Sequence, residues 1–445
     1  MTNLLFSHEQ LLHQRFLCTD LGQLYIAIPF EGLSSQIPSP AYGKSGLGRK
    51  PWFDIKGGIA LQFLKHYLQL SDAMLIERIN TDWSMQLFCG IQLLPTEKIC
   101  DSNLPGWWRN YIGRHLDIAA LQKSFAAHWK PYMEQTAIGM QDATCYESSV
   151  AYPTDIKLLW QGCHMVYVAL QQMRRQLKMR RSRANYQRNK QLVDAYQKTR
   201  KKTRKAEKKL RKRLLKFLGS LIEQSDKLLA TYKVHSLSAK QTKKYNTVKT
   251  LYSQQFERMY GNAAEVKDRI VSIAKPYIRP IIRGKETRPV EFGAKVNKLQ
   301  VDGISFIEHL SFDAFNEGVR LKQGIALHHR LFGKCTHVSA DAIYATNENR
   351  RYCTKTNITT NFIPKGKQKQ QHVEQSLAIR QALNVARGTI LEGSFGTEKE
   401  HYHLKKIPAR NQVSETCWIF FGMMTANAVR MAKRITASQQ KARAA

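Results

Sequence analysis

Three carboxylates in this sequence stand where solubility alone does not explain an acid. Asp142 lies in GMQDATCY, Asp341 ends HVSAD, and Glu392 lies in ARGTILEGSFGTEK. Asp142 and Asp341 fall in apolar segments that read as strands, and an ionised carboxylate in a strand facing a core is costly unless it is paired. Taken singly, each could be a capped or paired acid. Together they could perform one particular chemistry. Two Mg²⁺ ions about 3.5–4 Å apart can activate a water or a 3′-hydroxyl and stabilise charge on a phosphate. Mg²⁺ is hard, prefers carboxylates and water, and lets the substrate phosphate complete its shell. A protein using it must bring about three carboxylates around one point.

Other candidates are weaker. Glu398 rivals Glu392, but six residues is about 600° around a helix, so the two point to different sides. Glu392 follows Ile390 and Leu391 and precedes Phe395, which is expected to place it near the core and favours it as the third acid. Glu147 and Asp155 suit turn and cap roles. His328 and His329 suit packing or surface positions, and Met423 and Met424 suit the core. The eight cysteines form no CxxC pair and no Cys/His cluster of zinc-finger spacing, so reduced thiols in a cytosol are expected, most of them small core residues.

The elements that would position the acids can be read along the chain. The first 135 residues read as helical, with a Gly-rich linker at Tyr42–Arg49, an apolar face of Ile59, Leu61, Leu64, Leu68 and Leu70, and a second helix capped at Ser71-Asp72 carrying Met74, Leu75 and Ile79. AIGMQDATCYESS suits a strand. YPTDIKLLW restarts a helix, with Thr154 or Asp155 as N-cap. From Leu158 to about Ile273 Gly and Pro are almost absent, and Leu210, Leu214, Leu218, Leu221, Leu228 and Tyr232 keep near-heptad spacing, which predicts a helical hairpin or short coiled coil. PVEFGAKVNKLQV and GISFIEHLSF read as two strands joined by an Asp302-Gly303 hairpin turn. A helix (NEGVRLKQGIALHHRLFG), a strand (CTHVSADAIYA), a short strand (ITTNFI), a helix from Gln368 to about Leu404 and a last helix from Trp418 to Ile435 follow.

With the helical block removed, this is the element order of an RNase H-like α/β domain. The expected layout is therefore an all-helical N-terminal domain (1–135), an RNase H-like catalytic domain (136–156 plus 287–435) interrupted by a long basic helical insertion (157–286), and a disordered tail (436–445).

Charge narrows the class of partner. The chain of 445 residues carries 70 Lys and Arg against 34 Asp and Glu, a net of +36, and that much like charge asks for a polyanion. Arg174–Lys216 holds 20 Lys and Arg against Asp194 and Glu207, a net of +18. As one helix this stretch would be about 65 Å long. Like charges at i,i+4 destabilise a helix, so contact with a DNA backbone is the expected reason for them. Only Tyr186 and Tyr196 lie there, so phosphate contact without stacking on unpaired bases is expected. Membrane insertion is not expected: no stretch reaches the roughly 18–20 apolar residues of a spanning helix, the most apolar window being Cys417–Val429, and MTNLLFSHEQLLHQRF does not read as a secretory signal.

Four segments carry a resemblance to a known family. DATCYESSVAYPTDIKLL, RPIIRGKETRPVEFGAKV, SADAIYATNEN and LEGSFGTEKEHYHL resemble the segments of bacterial insertion-sequence transposases of the DDE class, over about Pro51 to Arg434. The resemblance implies that Asp142, Asp341 and Glu392 are catalytic and bind Mg²⁺, with Mn²⁺ able to substitute. It implies that Lys399, two helical turns past Glu392, contacts a phosphate near the cut. The family's arginine finds its nearest match in Arg387, five residues before Glu392 where four is usual; the family's upstream tyrosine has no match. Asn347 and Asn349 would position or cap the helix after Asp341. Residues 51–96 resemble the family's N-terminal domain, implying end recognition or subunit pairing.

The implied protein is a cytoplasmic, nucleoid-associated homodimer acting on double-stranded DNA. The backbone contacts expected of it fall on Arg174, Arg175, Arg180, Arg181, Lys201, Lys202, Arg204, Lys205, Lys208, Lys209, Arg211, Lys212 and Arg213, with Lys399 and Arg387 at the cut. Another RNase H-fold endonuclease, or a non-catalytic DNA-binding descendant, stays open beside it.

Overall fold

A computed structural model describes residues 8–40, 51–182, 185–232, 237–261, 266–282, 290–366 and 370–444. The Gly-rich stretch Tyr42–Arg49 lies outside the described residues. The chain is α/β and divides into two compact units: residues 1–148, 294–311 and 315–445 form the first, and residues 149–293 with 312–314 form the second.

In the first unit, α1 (His8–Leu17), α2 (Asp20–Ile26), α3 (Phe30–Ser34), α4 (Ile55–Leu68), α5 (Asp72–Ile79), α6 (Trp83–Phe88), α7 (Leu104–Arg114) and α8 (Ile118–Trp129) precede the first strand. Ser71 caps α5, its side chain accepting from the Met74 N–H, as its type predicts. The expected helical domain over 1–135 is not a separate body. The chain's final helix packs against α2, α4 and α7, and its Trp418, Phe420, Phe421, Met423 and Met424 are buried. One core therefore serves both ends of the unit, because an α4 whose residues 57–66 are all buried must be covered on every side, which is more than its sequence neighbours offer.

The sheet carries the acids. Its strands are β1 (Ile138–Ser148), β2 (Pro280–Ile282), β3 (Val290–Val301), β4 (Ile304–Ser311), β5 (His337–Ala340), β6 (Thr359–Thr360) and β7 (Lys406–Ile407). β1 lies between β3 and β5, with β6 beyond β5. β1, β5 and β6 run parallel, β3 and β4 antiparallel. A strand inside a sheet and covered on both faces reads as a nearly continuous apolar run, and β1 is buried at most positions. The β3–β4 hairpin turns at Asp302 (φ 49°) and Gly303 (φ 77°), the paired positive φ values that a two-residue hairpin loop requires.

The helices after β1 are α9 (Asp155–Gln176), α10 (Tyr186–Lys198), α11 (Arg204–Tyr232) and α12 (Ala239–Tyr260), all in the second unit. The near-heptad leucines Leu214, Leu218 and Leu221 are fully buried in a core with Cys163, Val166 and Leu170 of α9 and Val248 and Leu251 of α12. The expected hairpin is thus part of a helical bundle, which covers more apolar area per helix than two strands of a coiled coil. Arg174–Lys216 is not one long helix: α9 ends before Lys178 (φ 53°), and α10 and α11 are separate pieces. Thr154, not Asp155, caps α9, and Tyr186 stacks on Tyr167 at 4.2 Å within the bundle.

The remaining helices, α13 (Leu321–Phe332), α14 (Asn347–Lys355), α15 (Gln370–Ala386), α16 (Glu392–His401) and α17 (Gln412–Ala444), return to the first unit. Two expectations are corrected there. The Gln368–Leu404 helix is α15 and α16 joined by a π-helical turn at Arg387–Leu391. The tail expected to be disordered continues α17 to Ala444, because ASQQKARA is rich in strong helix formers and has no Gly or Pro to stop it. Among the described residues no helix is long and apolar enough to cross a membrane. Six of the eight cysteines are buried and all are free thiols.

Candidate active site

Strand register brings the first two acids together. β1 and β5 are paired in parallel from Ile138↔His337 to Gln141↔Ala340. The next residue of each chain is Asp142, still within β1, and Asp341, just past the end of β5, so the two carboxylates leave neighbouring chains that run about 4.8 Å apart in the sheet. They stand at the carboxyl end of the paired segment, where open α/β sheets hold their ligands. The Asp341 side chain accepts from the Ala342 N–H at the start of a short 3₁₀ turn.

The third acid comes from the α15–α16 segment. The backbone N–H of Glu392 donates to the carbonyl of Arg387, a five-residue step in place of the α-helical four. Five residues here complete one turn, so Arg387 and Glu392 lie one above the other. The extra residue between them is absorbed by the π turn, and the side chains meet. Arg387 Nη1 is 3.0 Å from Glu392 Oε1 and 3.3 Å from Asp142 Oδ2, and its Nη2 is 4.0 Å from Asp341 Oδ1. One guanidinium thus gathers all three carboxylates.

Glu392 is not near the core as its apolar neighbours suggest. Its side chain is 51% exposed, while Leu391 is buried. Glu398 is the buried acid: it is 2% exposed, pairs with Lys298 Nζ at 2.7 Å and accepts from the Tyr146 hydroxyl. Each of its oxygens thus has a partner, and burial together with the Glu398 charge pushes the Tyr146 phenol well above its ordinary range. Glu398 is therefore one half of a core ion pair, apart from the three acids gathered by Arg387. Lys399, one residue on, donates to Thr144 Oγ1 at 3.1 Å. Thr144 shares a face of β1 with Asp142, so Lys399 stands along the strand that carries the first acid.

Other residues that composition did not single out hold this arrangement. Asn361 is bonded to both the N–H and the carbonyl of Ala340 and reaches Asn384 of α15 at 2.7 Å. Ser339 Oγ donates to the Leu383 carbonyl. Together they tie the end of β5 to the helix that leads to Arg387. Asn349 does more than cap: Thr346 is the cap of α14, while buried Asn349 donates to the carbonyls of Gly318 and Tyr344 and fixes the loop after Asp341. Asn347 accepts from Lys365 at the surface. An amide in ITTNFI gives no sequence signal of this bridging role, which exists only once β5 and α15 are neighbours.

The cluster is short of positive charge: three carboxylates surround one guanidinium. Burial, opposed by a backbone hydrogen bond and by Arg387, raises the Asp142 carboxyl to about 6. For an acid raised in the fold, ionisation costs stability; the cost is absent below about pH 4, grows as pH rises from the unfolded value towards the folded one, and levels off above about 6. Asp142→Asn is accordingly expected to stabilise the protein by about 1–2 kcal/mol at pH 7, less than the full shift allows because a bond to Arg387 is weakened, and to give no gain at pH 4. Urea midpoints at the two pH values check this, and a destabilised variant at pH 7 would contradict it.

Three carboxylates are the donor set that a hard divalent cation takes. Among the described residues no three acids, histidines or cysteines already close on one point, since the acids are held around the Arg387 guanidinium. Asp142, Asp341 and Glu392 fit such an ion in kind and in charge, with Arg387 as the cation that would have to give way.

In the second unit the basic residues divide. Arg175, Arg180, Arg181, Lys201, Lys202, Arg204, Lys205, Lys208, Lys209 and Lys212 are exposed. Arg211 is not a surface contact: it turns inward to Asp155 at 3.3 Å, beside Arg258 and Arg269. Asp155, also bonded to Gln255, is held below the usual carboxylate range by these hydrogen bonds and charges despite its burial. A buried acid needs such partners, and they come from three places: Arg211 from α11, Gln255 and Arg258 from α12, and Arg269 from the segment after it. Arg213 donates to Asn189, and Arg174 to the Arg180 carbonyl, so both are partly spent on the fold. Replacing the exposed Lys201, Lys202, Arg204 and Lys205 by Gln is expected to weaken binding to all DNA sequences alike. The slope of log affinity against log salt should fall by about one for each phosphate that is no longer neutralised. Anisotropy titrations across salt concentrations test this; an effect confined to one sequence would mean base reading instead.

No family model, curated protein or solved structure matches this chain.

Proposed function

We propose that this protein is a DNA transposase of the DDE class, which uses Mg²⁺ to cleave DNA at the ends of an insertion sequence and to join the freed ends to a target. The observation that carries the reading is the convergence of Asp142, Asp341 and Glu392, from three distant parts of the chain, on one guanidinium where the paired segment of β1 and β5 ends. The strand neighbours, with β1 between β3 and β5 and a helical unit inserted after β1, support an RNase H-like reading of the first unit. The exposed cations of the second unit supply the sequence-independent grip that a DNA enzyme needs.

In this reading the three carboxylates hold the metal ions, which when bound activate the attacking hydroxyl and take up charge on the phosphate. Arg387 neutralises the acids in their absence and offers a phosphate partner once displaced. Lys399, held over β1 by Thr144, places a second cation beside the acids for the phosphate at the cut. The N-terminal helices share the core of the catalytic unit, so an end-binding or pairing role for them would be carried by a surface rigidly joined to the site.

The test is to incubate the protein with Mg²⁺ and DNA bearing the inverted repeats that flank its reading frame, and to resolve nicked and joined strands. Cleavage with joining is expected. Nicking without joining would favour a nuclease of the same fold, and binding without cleavage a non-catalytic descendant.

A further inference from the structure

Between α11 and α12 of the second unit, aromatic rings and cations face one groove of about 650 Å³. Tyr252, Phe256 and Tyr260 follow one another at i,i+4 steps along α12, with successive ring centroids 5.9 and 4.7 Å apart. Phe256 and Tyr260 are 47% and 50% exposed, and a cluster of large rings open to water marks a binding surface more often than a packing accident. Across from them, Lys209, Lys212 and Lys216 of α11 line the same groove. All three are exposed. The acid lining the groove, Glu223, is taken by Lys227 at 2.8 Å.

Gly219 gives an independent sign that the groove is built. It sits inside α11, where glycine weakens a helix. A Cβ there would come within 2.7 Å of the Tyr252 hydroxyl, so the missing side chain is what lets that ring lie against α11 and extend the row.

We infer that this groove binds single-stranded DNA, with bases against the rings and phosphates against the lysines. Base stacking on aromatic side chains beside a row of cations is how unpaired strands are held without regard to sequence. Spacing separates an unpaired strand from a duplex. Rings four residues apart on a helix advance about 6 Å, whereas nucleotides along each strand of a duplex advance about 3.4 Å. Stretched, unpaired bases can match the first step; paired and stacked ones cannot. Charge separates it from a protein helix, which would cover the rings and leave three lysines without counter-charge. The inference goes beyond the proposed function, which asks the second unit only for duplex backbone contacts, and it holds whether or not the carboxylates cut DNA.

The experiment uses the full-length protein in EDTA, where metal-dependent cleavage is silent, with fluorescently labelled (dT)₁₂ and a 12-base-pair duplex of mixed sequence. Phe256→Ala/Tyr260→Ala is expected to weaken (dT)₁₂ binding by about tenfold for each ring and duplex binding less than about twofold. Phe256→Trp/Tyr260→Trp should bind (dT)₁₂ at least as well as the parent. Circular dichroism at the assay temperature, with a melting transition well above it in the alanine variant, rules out unfolding as the cause, since half of each ring's area is already exposed. Unchanged (dT)₁₂ affinity in the alanine variant, or a loss shared equally with the duplex, would overturn the inference.

Discussion

Asp341→Asn and Glu392→Gln are each expected to lower strand cleavage by on the order of a thousandfold or more, while DNA binding changes less than about twofold. Each change keeps the side-chain size and removes one charge from the three-acid set. A metal ion contributes several kcal/mol to a phosphoryl transition state, and each 1.36 kcal/mol is a factor of ten. Neither change should unfold the protein, because both side chains are about half exposed, each meets Arg387 across an ion pair, and an asparagine at 341 can still accept from the Ala342 N–H. The check is a time course of cleaved product beside a binding titration on the same DNA. A variant that cleaves as fast as the parent would remove its residue from the site. Because the proposed phosphate grip lies on Lys and Arg side chains of the second unit, loss of binding in step with cleavage would equally contradict the assignment.

Glu398→Ala is expected to act in the opposite way, costing about 3–5 kcal/mol of stability. It strands the fully buried Lys298 ammonium and leaves the Tyr146 hydroxyl without its partner. Removing one member of a buried pair leaves an uncompensated charge in a medium that cannot hydrate it. Burial already holds the Lys298 amine below its ordinary range even with Glu398 present. The double change Lys298→Met/Glu398→Leu should recover most of the loss, since well-packed apolar residues often replace such a pair at little cost. Urea midpoints of the single and double variants decide it. A single variant within about 1 kcal/mol of the parent would show that Glu398 is not the buried anchor described here. Glu392→Gln and Glu398→Ala thus form a matched pair on one helix, the first expected to lose activity with its fold intact, the second to lose its fold.

The two aspartates were legible because their surroundings were wrong for acids: Asp142 sits in an apolar strand and Asp341 directly follows one, and a charge there asks for a reason, although Asp341 itself is half exposed just past β5. The choice of Glu392 leaned partly on the spacing that the resemblance implies, and the local argument for it pointed the wrong way, since the apolar neighbours Ile390 and Leu391 do not carry it inward. Helical phase shifts at the π turn just before it, so α-helical counting from those neighbours misplaces its side chain. The same turn explains Arg387. Counted as α-helix it stands one residue out of place; with a five-residue turn it stands above Glu392.

Composition and pattern by themselves determined what local chemistry determines: helices and strands in order, the Asp302-Gly303 hairpin, the cap at Ser71, the basic block and the acids out of place among apolar residues. Each follows from neighbours a few positions away, which fix backbone preference and side-chain period. Tertiary structure decided what depends on partners hundreds of residues apart. It drew the N-terminal helices onto α17 as one core, gave Glu398 to Lys298, turned Arg211 inward to Asp155, and set the rings of α12 beside the lysines of α11. Burial of apolar area makes those choices for the whole chain at once, and the charged groups then take whichever partners the packed surfaces bring within reach.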